Sequence, residues 1–296
     1  MKLWTLVLVA ALFCRAPAAC AQAEAPEPSA EAPAATKADR AKLVQEFNDP
    51  LSSLPQLFVQ DAYTPANYGT DAQTNRVIAR LIVPRIPRYS LLPFVQLIRP
   101  SFSVVTVPEG KGSATRTEFG DMGLFDLAVI PWPGAGSGLL MGVGPVFVFP
   151  TATDRSAGQN AWQVGPAFGA IYKAIPGVLL GTLIQNPISF AYTSGAARPL
   201  STLLVQPIVL KQVWRGLYVK SADATWTFGE RAGTGKTIPL SLGVGYVIPR
   251  AGTEPINVFV TGEWMAYRQN APVAPQTTVR FGMTVAFPEW TRWQGF

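Results

Sequence analysis

From about residue 54 to residue 287 the chain repeats one pattern: stretches of ten to fifteen residues alternate apolar with small or polar positions, and turn-rich stretches separate them. In the last stretch Val279, Phe281, Met283, Val285 and Phe287 point one way, and Thr278, Arg280, Gly282, Thr284 and Ala286 the other. Ile238, Leu240, Leu242, Val244, Tyr246 and Ile248 likewise oppose Pro239, Ser241, Gly243, Gly245 and Val247. A period of two is the signature of a β-strand. Twelve segments carry it: 54–64, 73–85, 91–105, 117–131, 138–150, 161–173, 177–192, 200–213, 216–228, 236–249, 255–268 and 277–287. Ahead of them Lys37 to Phe47 reads as one short helix, ended by Asn48-Asp49-Pro50.

What each face contains separates the candidate folds. The outward face of a soluble sheet is well charged, whereas here the second face is mainly Gly, Ala, Ser, Thr and Gln with isolated charges. That is the inverted logic of a transmembrane barrel, with apolar residues toward lipid and small or polar ones toward the lumen. Closure removes the unpaired strand edges that lipid cannot solvate. Twelve is an even number, as bacterial barrels require, and connections at 65–72, 106–116, 151–160, 193–199, 229–235 and 269–276 are longer than those between them. Aromatic residues form two belts at the segment ends: Tyr89, Trp132, Tyr172, Trp214, Tyr246 and Phe287 at one rim, Tyr63, Trp162, Tyr192, Trp226 and Tyr267 at the other. The expected fold is therefore all-β: an antiparallel up-and-down transmembrane β-barrel of about 12 strands, with a short N-terminal helix.

The flanks fit export. Lys2, the apolar stretch Leu3 to Phe13 and the small residues up to Ala21 read as a signal peptide over 1–21. Residues 22–36 are a Pro/Ala/Glu tract that cannot bury apolar surface and reads as a disordered linker. The helical segment 37–53 has two readings, a tether or cap and a plug for the barrel. The barrel itself occupies 54–287, and 288–296 is a C-terminal extension. The implied destination is the outer membrane of a Gram-negative cell, with outer-membrane lipid and the barrel-assembly machinery as partners.

Composition narrows the chemistry. The chain has 296 residues with no His, so the commonest general base and metal ligand are missing. Both cysteines, Cys14 and Cys20, belong to the signal peptide, so the mature chain has no thiol chemistry. No catalytic, metal or cofactor-binding residues are expected, and the chain does not read as an enzyme. Gly233-Thr234-Gly235-Lys236-Thr237 ends like a phosphate-binding loop, but Glu230 stands where its first glycine belongs and a strand follows. Only 14% of residues are charged, and the basic ones are spread rather than gathered into a nucleic-acid patch.

The strand charges are the informative ones, because a lipid-facing Arg or Lys at the midplane costs about 2–4 kcal/mol. Arg76 and Arg80 share a face opposite Val77, Ala79, Leu81 and Val83, so both should point inward. Arg280 is inward by the alternation above, and Glu263 lies on the polar side of its segment. Arg76, Arg80, Glu263 and Arg280 are the candidate lumen lining. They read either as an ion-pair lattice bracing the wall or as a selectivity lining. Antiparallel pairing of the last two segments puts Glu263 within reach of Arg280. From Leu54 onward 19 basic residues face 12 acidic ones, so an aqueous path should favour anions weakly.

One further feature is a resemblance. The run Gly142-Val143-Gly144-Pro145-Val146-Phe147-Val148-Phe149-Pro150-Thr151-Ala152-Thr153-Asp154 is similar to the signature of a Gram-negative outer-membrane family associated with the meta-pathway of phenol degradation. Phe119-Gly120-Asp121, Trp162 with Gly165-Pro166, Leu204-Val205-Gln206-Pro207, Pro239-Leu240 with Gly243-Val244-Gly245, and Arg280-Phe281 extend the match over about residues 47–288. The resemblance implies a barrel thought to transport small hydrophobic compounds. One departure is the tail Pro288 to Phe296 after Phe287, which leaves either Phe287 or Phe296 as the residue the assembly machinery reads. The expected function is an outer-membrane channel that passes small hydrophobic or aromatic solutes passively. The alternative is a non-conducting barrel with a structural or recognition role.

Overall fold

Alternation in the sequence becomes a continuous hydrogen-bonded wall in the structure, a computed structural model that describes residues 37–52, 54–85, 95–131, 138–193, 199–221, 223–230, 235–249 and 254–287. The signal peptide, the linker, the extension after Phe287, and the belt residues Tyr89 and Trp132 lie outside the described residues. Twelve wall strands follow helix α1 (Lys37–Asn48). They are β1 (Gln56–Tyr68), β2 (Thr74–Arg85), β3 (Val95–Pro108), β4 (Thr115–Phe119 and Met122–Pro131), β5 (Leu139–Phe149) and β6 (Ala161–Tyr172). Beyond these run β7 (Val178–Gln185 and Ile188–Tyr192), β8 (Thr202–Trp214), β9 (Leu217–Ser221 and Trp226–Gly229), β10 (Lys236–Ile248), β11 (Ile256–Gln269) and β12 (Ala274–Ala286). Every strand pairs antiparallel with its neighbours in sequence, and β12 pairs with β1 from Gln56↔Ala286 to Tyr68↔Ala274. The barrel is closed, so the wall has no free edge.

Register fixes which side chains face which way. On β12, Phe281 is 56% exposed and faces out, while Thr284 is 1% exposed and faces in. Leu242, Phe102, Phe190 and Val213 are outward and exposed in the same sense. Among the described strand residues two outward carboxylates interrupt the apolar exterior, and each accepts a bond from an amide on an adjacent strand: Asn75 Nδ2 donates to Asp61 at 2.7 Å and Gln96 Nε2 to Asp126 at 2.8 Å.

Two sequence expectations need correcting. The loop-length asymmetry is smaller than the pattern suggested, because strands continue into three of the supposedly long connections, leaving 69–73, 109–114 and 270–273. Period-two alternation depends on the two faces meeting unlike surroundings, so it fades at the rim while the backbone ladder continues. The contrast survives at 150–160 against the two-residue hairpin Arg215-Gly216, where positive φ at both positions suits a tight β-turn. The second correction concerns the inward face, which is not uniformly small and polar. At the short-turn end it carries Leu97, Leu127, Val129, Ile171, Leu179, Leu183, Ile208, Leu210 and Val247, all buried.

These residues are buried against the N-terminal segment. Leu43, Val44 and Phe47 form one stripe of α1, and Val44, Phe47 and Leu51 join the apolar cluster inside the wall. The helix stops where Pro50 cannot continue it and where Asp49 Oδ1 accepts the Leu51 N–H at 2.8 Å. Residues 41–52 thus sit in the short-turn end of the lumen as a plug.

Candidate lumenal site

Above the plug, inward positions converge at mid-height. Arg80 lies across from Phe58 in the β1–β2 register, Arg99 across from Phe125 in β3–β4, and Lys220 across from Gly243 in β9–β10. Each cation rests on a ring: the Arg80 guanidinium is 5.0 Å from the Phe58 centroid, Arg99 4.4 Å from Phe125, and Lys220 Nζ 3.4 Å from Phe259. Such contacts contribute roughly 0.5–2 kcal/mol each, more where water is excluded. Glycine makes this packing possible. A Cβ on Gly282 would meet the Phe259 ring at 2.0 Å, so the bare backbone of β12 lets Phe259 lie across it and stack on Phe58 at 5.9 Å.

The structure places the candidate lining residues as follows. Arg76 and Arg80 are inward on β2, and Arg76 is exposed although it points into the barrel. Arg280 Nη2 bonds Glu263 Oε2 at 2.8 Å, with both side chains largely buried. The register is shifted from the expected one: Glu263 is opposite Thr278 and Arg280 opposite Thr261, so the pair closes diagonally. Arg76 has no ion pair among the described residues. Sequence reasoning missed Arg99, Lys220 and Asp223. Lys220 and Asp223 form a 2.7 Å ion pair. The signal for Arg99 and Lys220 was the one that exposed Arg76: a charge inside an otherwise apolar strand, on the parity of Leu97 and Tyr218.

Few polar ties hold the plug beneath these residues. Lys173, in the turn after β6, forms an ion pair with Asp49 and another with Glu46 at 3.6 Å. Gln45 Nε2 donates to the Val178 carbonyl at 3.2 Å, and Gln56 Nε2 to the Glu46 carbonyl at 3.1 Å. Burial raises the Asp49 carboxyl above its ordinary value, against the pull of Lys173. Burial also lowers the Lys173 ammonium, but Asp49 and Glu46 outweigh it and hold it above the usual lysine value. Leu51 anchors the apolar side. Gly142 and Gly169 are register partners on β5 and β6, and a Cβ on either would lie 2.8 or 3.1 Å from Leu51 Cδ2. The two glycines form a socket for that one side chain.

No cluster of three or more Cys, Asp or Glu able to hold a metal occurs among the described residues. The arrangement is a closed antiparallel twelve-strand barrel, apolar outside, with a charged, aromatic-lined waist and an internal plug. No family model and no curated protein sequence matches the chain. Among solved structures, an outer-membrane channel from Pseudomonas putida F1 is similar at 13% identity and a TM-score of 0.56, over 81% of this chain and 98% of that one. The KdgM porin matches at 7% identity and a TM-score of 0.44, over 78% and 99% of the two chains. A FadL homologue from Pseudomonas aeruginosa matches at 12% and 0.39, over 82% and 93%. The first of these likenesses is one of fold, and the other two add nothing to it.

Proposed function

We propose that this chain is an outer-membrane channel for small solutes, exported by its signal peptide and folded into lipid by the barrel-assembly machinery. The short-turn end faces the periplasm, so residues 37–52 close the pore from inside the cell envelope. The observation that carries the reading is how the lumen is closed. A separate segment fills one end, held by one socketed leucine, a short apolar stripe and a handful of polar ties, while inward-facing Arg76 above it stays exposed. Displacing that segment opens a path lined by Arg76, Arg80, Arg99, Lys220 and Arg280 against Asp223 and Glu263, so small anions should pass in preference to cations. The apolar lower wall and the resemblance to the phenol meta-pathway family support hydrophobic or aromatic solutes as cargo.

A second reading is favoured by the plug's apolar packing: a filled barrel that serves envelope structure and conducts nothing. Planar-bilayer conductance of the refolded protein with and without residues 37–52 separates the two. A channel gains steady current on deletion, and a structural barrel stays silent or loses its fold.

A further inference from the structure

Between the seated plug and the barrel wall lies a chamber of about 70 Å³. Arg80, Arg99 and Lys220 line it together with Phe58, Phe259 and Thr284, and Phe47 and Asp49 form its floor. Its charges do not balance. Lys220 is matched by Asp223, and the floor carboxylate Asp49 by Lys173. Arg80 and Arg99 form no ion pair among the described residues and have only ring faces beneath them. Thr284, 1% exposed, lines the chamber, and its hydroxyl has no hydrogen-bond partner among the described residues. A buried hydroxyl without a partner, an Arg99 with no opposite charge and an Arg80 that shares Asp223 with Lys220 make a configuration that an anion completes.

We propose that the chamber is a binding site for a small organic carboxylate. Arg80 and Arg99 hold its oxygens, the Thr284 hydroxyl donates to it, and the stacked Phe58–Phe259 pair carries its hydrocarbon part. A planar carboxylate suits this site because guanidinium forks match its geometry and the rings reward an attached apolar tail. Size narrows the class: the chamber is about half the volume of a closed cavity that holds benzene, so with the plug seated short-chain acids fit it better than aromatic ones. The inference rests on the channel reading only in treating the bound acid as a passing solute, since binding requires no flow.

The test is isothermal titration of the folded full-length barrel in detergent, in carboxylate-free buffer, with propionate as the probe. 1-Propanol, inorganic phosphate and benzoate are the comparisons. Propionate should bind saturably, 1-propanol should not, and phosphate and benzoate should bind at least tenfold more weakly. Arg80→Gln and Arg99→Gln should each weaken propionate at least tenfold, Arg99→Lys should fall between the unmodified barrel and Arg99→Gln because it keeps the charge and loses the fork, and Arg116→Gln at the loop end should change nothing. Heat-modifiable gel migration shows that each variant has folded; if the glutamine variants do not fold, the four probes on the unmodified barrel still decide. Absence of saturable propionate binding, or equal binding by folded Arg80→Gln and Arg99→Gln variants, would overturn the site. Phosphate binding as tightly as propionate would overturn the carboxylate class, and benzoate doing so would overturn the size limit. A barrel that binds propionate yet never conducts contradicts the channel and leaves the site standing, whereas one that conducts without saturable binding contradicts the site alone.

Discussion

Gly142 and Gly169 face each other across β5 and β6, and Leu51 fills the space their missing side chains leave. Leu51→Ala empties that socket and should weaken seating of the plug by about 2–5 kcal/mol, the usual range for a buried leucine. Single-channel recordings should then show more frequent openings, and an unchanged record would remove Leu51 from the mechanism. The Glu263–Arg280 pair makes a separate point. Glu263→Gln leaves the buried Arg280 without its counter-ion at a cost of about 3–5 kcal/mol if the surroundings are dry, and Arg280→Gln in the same chain should restore part of it. Denaturant midpoints of the two variants measure this, and additive losses would mean that the pair contributes no coupling. This contact could be read in the sequence because both charges lie on the inward parity of adjacent hairpin strands. The Leu51 socket could not, because a glycine in a barrel strand looks the same whether it faces water or a plug.

At the level of elements, α1 and its following turn are sensitive to protonation. Asp49 and Lys173 both have raised pKa values when the plug is seated, so seating takes up protons. Asp49 contributes fully below its free value of 3.8 and Lys173 below 10.5, and each contribution is lost as pH rises through the raised value. Bilayer recordings at fixed salt should therefore show openings becoming more frequent as pH rises above 3.8, through Asp49, and again above 10.5, through Lys173, and opening on acidification would contradict this latch. The strands make their own prediction. Phe281→Arg on β12 puts a charge in lipid at about 2–4 kcal/mol and should block heat-modifiable folding, while Thr284→Asp, facing the lumenal cations, should fold. Equal tolerance at both sites would reverse the assigned faces. The existence of all twelve strands was legible, because two unlike faces impose strict alternation. Their outer ends were not: at 65–68 and 106–108 the ladder runs on without the pattern.

For the whole molecule, the chain builds a wall that needs no filling and then fills one end of it. The apolar lower lumen is the half of the barrel that sequence alone misread, since inward leucines on β3, β4, β7 and β8 alternate with outward apolar residues and blur the two faces. They are apolar because they form a core with Val44, Phe47 and Leu51. Closure by a separable segment is what planar-bilayer recording of the refolded barrel before and after deletion of residues 37–52 reads out. Openings should be rare and brief for the full chain and the current steady and anion-preferring for the deleted one, with both forms heat-modifiable. A folded deletion variant that passes no more current than the full chain would contradict it.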